Sequence, residues 1–178
     1  MMNKRLKQGS TFLLAVALTF PLLTLPGAKA ASAIDTDAEC SIQFDIGGNS
    51  ELLNDDVTVQ VNLYKVASVD VSGNYTATGT FAKLDFSSVS ADNLDTAAAT
   101  WSERAAEAKK LLKDDTEPTT TVTLTQGRGT ATGLKTGLYL VDTPEVVTTN
   151  YTYTFTPYLV SLPTNNYYSN GNDNWIYD

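Results

Sequence analysis

Alternation of apolar and polar residues, the pattern of half-buried β-strands, dominates the chain after residue 30. The alternating stretches are rich in β-branched and aromatic residues, which suit a pleated surface. They cover residues 57–64, 119–125, 137–141 and 150–160. Turn-forming runs such as 126–129 and 135–137 separate them. Many short strands joined by frequent turns predict an all-β fold, an antiparallel sandwich.

One segment, residues 95–113, departs from this period and is rich in the helix formers Ala, Glu, Lys and Leu. Its apolar residues recur at intervals of three and four, which predicts a single inserted α-helix with one face on the sandwich. Lys109 and Lys110 fall near the predicted C-terminus, where positive charge suits the helix dipole. The apolar stripe comprises Trp101, Ala105, Ala108, Leu111 and Leu112.

The first 30 residues have the layout of a secretory signal peptide. A short basic start precedes an apolar stretch over residues 11–27, and Ala28 and Ala30 supply the small residues that a signal peptidase reads. We predict cleavage after Ala30, with Ala33 as an alternative, leaving a domain of residues 31–178. An uncleaved anchor is the other interpretation, but about 17 residues interrupted by Pro21 are marginal for spanning a bilayer. The mature protein is therefore expected to have no membrane partner.

Charge and composition exclude several classes of function. The net charge is −8, and because four of the 12 basic residues and no acidic residue lie in Met1–Ala30, the rest carries −12. This argues against nucleic acid as a partner. With no histidine and one cysteine, the chain lacks the residues for a Ser-His-Asp triad or the common zinc sites. We therefore expect no enzyme activity, no metal and no cofactor. Cys40, on an alternating apolar face, is predicted to be buried and inert.

Four segments together resemble the N-terminal domain of the sortase-assembled major pilins of Gram-positive bacteria. They are V-Q-V-N-L-Y-K-V at residues 59–66, G-L-Y-L-V-D-T-P at 137–144, Y-T-F-T-P-Y-L-V-S-L-P-T at 153–164 and W-I-Y-D at 175–178. The resemblance implies an immunoglobulin-like sandwich of the collagen-adhesin B type and a non-catalytic structural role in a pilus (fimbria) at the cell surface. It also implies that, in the full-length protein, sortase joins the domain to other pilin subunits and the cell wall.

Two features depart from this family pattern. The acidic residue of the segment known in the family as the E box is Asp142 here, where the family has Glu. The sequence also stops at Asp178, before the stretch whose lysine sortase would use, and residues 162–166 lack the glycine of a sorting signal. Because residues 175–178 have the pattern of a strand beginning, we expect the domain to lack its final strand.

Lys65 and Asp142 are the candidates for a self-formed isopeptide bond, which needs a neutral lysine amine, an Asn acceptor and a protonated acid. Lys65 continues the odd-numbered apolar face of its strand, and Asp142 continues the face of Leu138 and Leu140. Alternatively, Lys65 reaches solvent from a strand end and Asp142 begins a turn. We favour the interpretation without a cross-link, because the acceptor implied by the resemblance lies on the strand absent from this sequence.

An adhesive role is the second hypothesis for this domain. Tyr167 and Tyr168 lie in an Asn-rich stretch and are candidate contacts for a host glycan or protein, because exposed aromatic residues often mark binding surfaces. For Trp175 and Tyr177, the competing interpretation is that they form one core-facing side of the last strand. Binding arrays, with Tyr167→Ala and Tyr168→Ala as variants, separate an adhesin from a shaft subunit.

Overall fold

Short antiparallel strands and one helix make up the part of the chain that the computed structural model describes, which is residues 33–47, 50–87, 94–165 and 175–178. The elements are β1 Glu39–Asp45, β2 Val59–Val69, β3 Tyr75–Ala77, a 3₁₀ turn at Gly79–Phe81, α1 Leu94–Leu111, β4 Thr120–Leu124, β5 Arg128–Lys135, β6 Gly137–Asp142, β7 Val146–Val147, β8 Thr152–Tyr153, β9 Tyr158–Leu162, β10 Thr164–Asn165 and β11 Trp175–Ile176. The fold is mostly β with antiparallel sheets and one helix, as the alternation and the helical period predicted. The predicted signal peptide and Ala30 lie outside the described residues.

A five-stranded antiparallel sheet forms the centre of the domain, and β2 is its longest strand. On one side β2 pairs with β6, which pairs in turn with β9. On its other side, the first half of β2 pairs with β4 and the second half pairs with β3. Within the β2–β6 pair, Leu63 lies opposite Val141 and Lys65 opposite Tyr139, and the register shifts directly after Lys65.

Two separate hydrophobic clusters cover the two faces of this sheet. The first lies between the central sheet and the two-stranded β1–β5 sheet, and it includes Cys40, Leu63 and Tyr139. The second lies against α1 and the 3₁₀ turn, and it includes Leu138 and Leu140. All six residues of β6 are buried, because its side chains enter the two clusters alternately. This explains why β6 is apolar from Gly137 to Val141, with Asp142 as the one charged residue at its end, while β4 alternates with threonine.

The structure confirms the apolar stripe predicted for α1. Ala105 and Ala108 are fully buried in the second cluster, and Trp101, Leu111 and Leu112 pack around them. The ring of Trp101 meets that of Tyr75 edge-on, with centroids 6.1 Å apart. Cys40 is also buried as predicted, with 2% of its surface exposed.

The strand β5 was not predicted, because the glycine-containing segments 126–129 and 135–137 at its two ends have the composition of turns. Of these two segments, only the first is a tight hairpin turn: Gln126 and Gly127 both have positive φ, at 48° and 77°, and the Arg128 N–H donates to the Thr125 carbonyl at 3.0 Å. Gly129 then lies within the strand, where a Cβ would come within 2.6 Å of Val122 and 2.8 Å of Leu124. This glycine is therefore required by close packing between β4 and β5.

The prediction of one strand over residues 150–160 was wrong. The segment contains two elements, β8 at Thr152–Tyr153 and β9 at Tyr158–Leu162. Pro157 lies between them, and a proline cannot donate a backbone hydrogen bond to a neighbouring strand. β8 pairs with β7, whereas β9 pairs with β6, so the chain moves from one sheet to another at this proline.

Candidate functional site

Lys65 lies on β2 with its side chain on the face of the first cluster, across the start of β6. The position of a Cβ on Gly137 would be 2.7 Å from Lys65 Cε and 3.4 Å from Lys65 Nζ. The lysine stem therefore occupies the space that the glycine leaves open. Among the described residues, none accepts a hydrogen bond from the Lys65 amine. Burial lowers the pKa of Lys65 below its ordinary value; Cys40 partly opposes this shift, and the positive charge of Lys135 adds a still smaller lowering.

Two buried ionisable groups, Cys40 and Tyr139, lie near the half-buried lysine. Burial raises the pKa of the Cys40 thiol, so the thiol form is favoured and the group is a poor nucleophile. Burial also raises the pKa of Tyr139 to about 12. The Tyr139 hydroxyl donates to the Lys135 carbonyl at 2.6 Å. The tyrosine is therefore engaged with the backbone of β5.

Asp142 lies at the end of β6, on the face of the second cluster, and only 7% of its side chain is exposed. Its Oδ2 accepts a hydrogen bond from the Lys109 ammonium of α1, whose side chain is 47% exposed. The pKa of Tyr64 is raised mainly by burial, and the negative charge of Asp142 raises it further. The carboxylate thus attaches the helix to the centre of the sheet.

The structure does not bring Lys65 and Asp142 together. In an antiparallel pair, directly opposite residues share one face. Lys65 lies opposite Tyr139, on the first-cluster face, whereas Asp142 lies opposite Asn62, on the second-cluster face. The sheet itself therefore separates the amine from the acid. The sequence showed that each residue continued an inward face, but only the register between β2 and β6 shows that the two faces differ.

We therefore expect the protein to contain no isopeptide bond at Lys65. Because the bond releases one ammonia, the intact mass of the mature chain should equal the value calculated from its sequence. Lys65→Ala and Asp142→Ala should change the mass only by the substitution itself. A deficit of one ammonia that either variant abolishes would contradict this expectation.

Replacing Lys65 by methionine should stabilise the domain by about 1 kcal/mol, because the stem still packs over Gly137 and no amine is desolvated. The pKa of Lys65 is lower in the folded protein than its ordinary value of 10.5. In the alkaline range up to that pH, the unfolded chain therefore binds more protons at Lys65 than the folded protein does. The wild-type stability contributed by this group should therefore rise as the pH rises through that window, and Lys65→Met should remove the rise. Thermal melts from pH 7 to the alkaline range, with exposed Lys83→Met as the control, measure both effects. A less stable Lys65→Met would mean that the charged amine contributes favourably.

Of the aromatic residues considered as ligand contacts or core residues, only Trp175 and Tyr177 lie within the described residues. Tyr167 and Tyr168 lie outside them. Tyr177 packs against the first cluster, its hydroxyl accepts a hydrogen bond from Asp35 N–H at 2.8 Å, and its carbonyl accepts one from Ser41 N–H at 2.7 Å. Trp175 and Ile176 form β11, which pairs with β10. Tyr177 is thus attached to β1 and the residues before it, in agreement with the core-facing interpretation.

Comparison with family models and curated proteins assigns no family to this chain. No family model matches the chain, and a search of curated proteins finds no match. Within residues 33–47, 50–87, 94–165 and 175–178, no helix is long and apolar enough to cross a membrane. The same residues contain no group of three or more His, Cys, Asp or Glu side chains placed to hold a metal ion.

Proposed function

We propose that residues 31–178 are an immunoglobulin-like structural module of a Gram-positive cell-surface pilus, exported by the signal peptide in Met1–Ala30 and without catalytic activity. In the full-length protein, sortase would link this module to other pilin subunits and the cell wall. The observation that carries the proposal is the position of β6. The segment that resembles the E box is a central strand with all six residues buried, and its acid is paired to the helix.

The layers of the domain support the sandwich part of this proposal. The β1–β5 sheet packs on one face of the central sheet through the first cluster, so two antiparallel sheets enclose a common core. The helix covers the opposite face, which accounts for the insertion between β3 and β4. A fibre subunit must keep its strands together under tension, and a central strand buried on both faces suits that role.

A structural role also fits the state of the ionisable groups at the candidate site. The chain has no histidine, and the Asp142 carboxylate is engaged by Lys109. The Cys40 thiol is 2% exposed, and the raised pKa of the thiol disfavours the reactive thiolate. These groups contribute to packing and to the attachment of α1.

Immunoblotting of the bacterium that encodes the chain, with an antibody to residues 31–178, tests the proposal. We expect a ladder of high-mass species in the cell-wall fraction that resists boiling in detergent and disappears when sortase is deleted. N-terminal sequencing of the surface protein should begin at Ala31, or at Ile34 if cleavage follows Ala33. A single monomeric band confined to the cytoplasm would contradict both export and assembly.

A further inference from the structure

A polar depression of about 520 Å³ lies where the loop before β2 meets the β7–β8 hairpin. The loop comprises residues 50–58, and the hairpin turn comprises residues 148–151. Two apolar residues, Val57 and Val147, complete a lining that is otherwise polar. The polar lining residues are Glu51, Asn54, Asp56, Thr148, Thr149 and Asn150. The pocket contains none of the residues of the candidate site described above.

Glu51 holds the two sides of this pocket together. Its Oε1 accepts a hydrogen bond from Asn150 Nδ2 at 2.7 Å, and its Oε2 accepts from Thr148 Oγ1 at 2.8 Å and from Tyr153 OH at 3.0 Å. These hydrogen bonds, with that from Asn150 the largest cause, lower the pKa of Glu51 below its ordinary value. The carboxylate is therefore charged at neutral pH, and the pocket is shaped before any ligand enters.

Several polar groups in the pocket remain open to a ligand. The Asn54 side-chain oxygen accepts the Asp56 N–H at 3.3 Å, which leaves the Asn54 amide nitrogen without a partner among the described residues. The Asp56 carboxylate and the Thr149 hydroxyl likewise have no side-chain partner there. Together they offer donors and acceptors within one concave site, the combination that vicinal hydroxyl groups can satisfy.

Exposed apolar surface adjoins these polar groups. Val147, which lines the pocket, is 70% exposed. Tyr151 does not line the pocket but follows the lining residue Asn150 in the chain; it is 62% exposed, and its ring centroid lies 6.1 Å from that of Tyr153. Sugars present hydroxyl edges and apolar C–H faces, so a polar pocket beside a tyrosine matches both. Tyrosine also provides a rigid contact that loses little conformational entropy on binding.

We propose that this pocket binds a neutral saccharide. Glu51 and Asp56 contribute two carboxylates to the lining, which contains no lysine or arginine, so sialylated, sulfated and phosphorylated sugars would be repelled. The site gives the domain an adhesive surface at a place different from Tyr167 and Tyr168. It depends on the local geometry of the loop and hairpin, and it does not depend on assembly into a pilus.

Titration of the full-length mature protein with methyl glycosides of glucose, galactose and N-acetylglucosamine, followed by NMR or calorimetry, tests the proposal. A glycan array extends the test to neutral and sialylated oligosaccharides. We expect millimolar or tighter binding of at least one neutral sugar, and weakening by about tenfold in Asp56→Ala and in Tyr151→Ala. Asp55→Ala is the matched control, because Asp55 is the exposed neighbouring acid and does not line the pocket.

The Asp56 carboxylate and the Tyr151 hydroxyl make no hydrogen bond within the described residues, and Tyr151→Ala loses only the ring contact with Tyr153, worth about 1 kcal/mol, so both variants should remain folded in thermal melts. Absence of neutral-sugar binding in the folded wild-type protein would overturn the proposal. Binding that Asp56→Ala and Tyr151→Ala leave unchanged, or a preference for sialylated glycans, would overturn it as well. A pilus ladder without sugar binding would refute this inference alone, whereas sugar binding without a ladder would refute only the structural role.

Discussion

Gly137→Ala should destabilise the domain by about 4 kcal/mol or more, a large part of the stability of a domain of this size. A Cβ at this position would lie 2.4 Å from the Ala67 carbonyl oxygen and 2.7 Å from Lys65 Cε. The lysine stem can move, but the carbonyl belongs to the β2 backbone at the centre of the sheet. Gly137 also has a φ of 150°, a conformation that residues with side chains rarely adopt.

The matched control for this prediction is Gly133→Ala. Gly133 also has a positive φ, of 69°, but no atom lies within 4 Å of the position of its Cβ. Gly133→Ala should lower the free energy of unfolding by about 1–2 kcal/mol, from backbone strain alone. Thermal melts should therefore show a fall of roughly 10 °C or more for Gly137→Ala and a much smaller fall for the control. Adding Lys65→Ala to Gly137→Ala should recover only part of the loss, and equal melting of the two alanine variants would contradict the steric argument.

The sequence predicts this domain best where local pattern and tertiary environment agree. Residues 59–63 alternate because one of their faces enters the first cluster, and α1 has its period because one face covers the sheet. The strand β5 could not be recognised, since Gly129 and Gly133 weaken the strand pattern and the need for Gly129 comes from packing against β4. Its assignment requires knowing which strand lies beside it.

Prediction of the candidate site from the sequence was limited for the same reason: it also depends on contacts between residues far apart in the chain. Alternation assigns Lys65 and Asp142 to inward faces, but two clusters exist, and only the register between β2 and β6 assigns each residue to one of them. The partner of Asp142 was also hidden. Lys109 is 33 positions away in sequence, and its position near a helix end indicated a favourable charge at the helix C-terminus, with no sign of a contact to a strand.

The pairing of Lys109 with Asp142 leads to the second large effect that we expect. Lys109→Ala should destabilise the domain by about 2 kcal/mol, because it leaves a carboxylate with 7% side-chain exposure without its counter-charge. This value is below that of a fully buried pair, since the Lys109 side chain is 47% exposed and water can partly screen the charge left behind. Lys110→Ala, the exposed neighbour with the same helix propensity, should change stability by less than about 0.5 kcal/mol.

A double-mutant cycle separates the charge from the packing of the lysine stem. If the loss in Lys109→Ala comes from the unpaired carboxylate, Asp142→Asn in the same chain should restore stability, because a neutral amide is less costly to bury than an isolated charge. Denaturant titrations of the four proteins give the coupling energy, and equal slopes would show that the unfolded states are comparable. Additive effects of the two substitutions would contradict the ion pair as the link between α1 and β6, and would leave the packing of Ala105 and Ala108 as the main attachment of the helix.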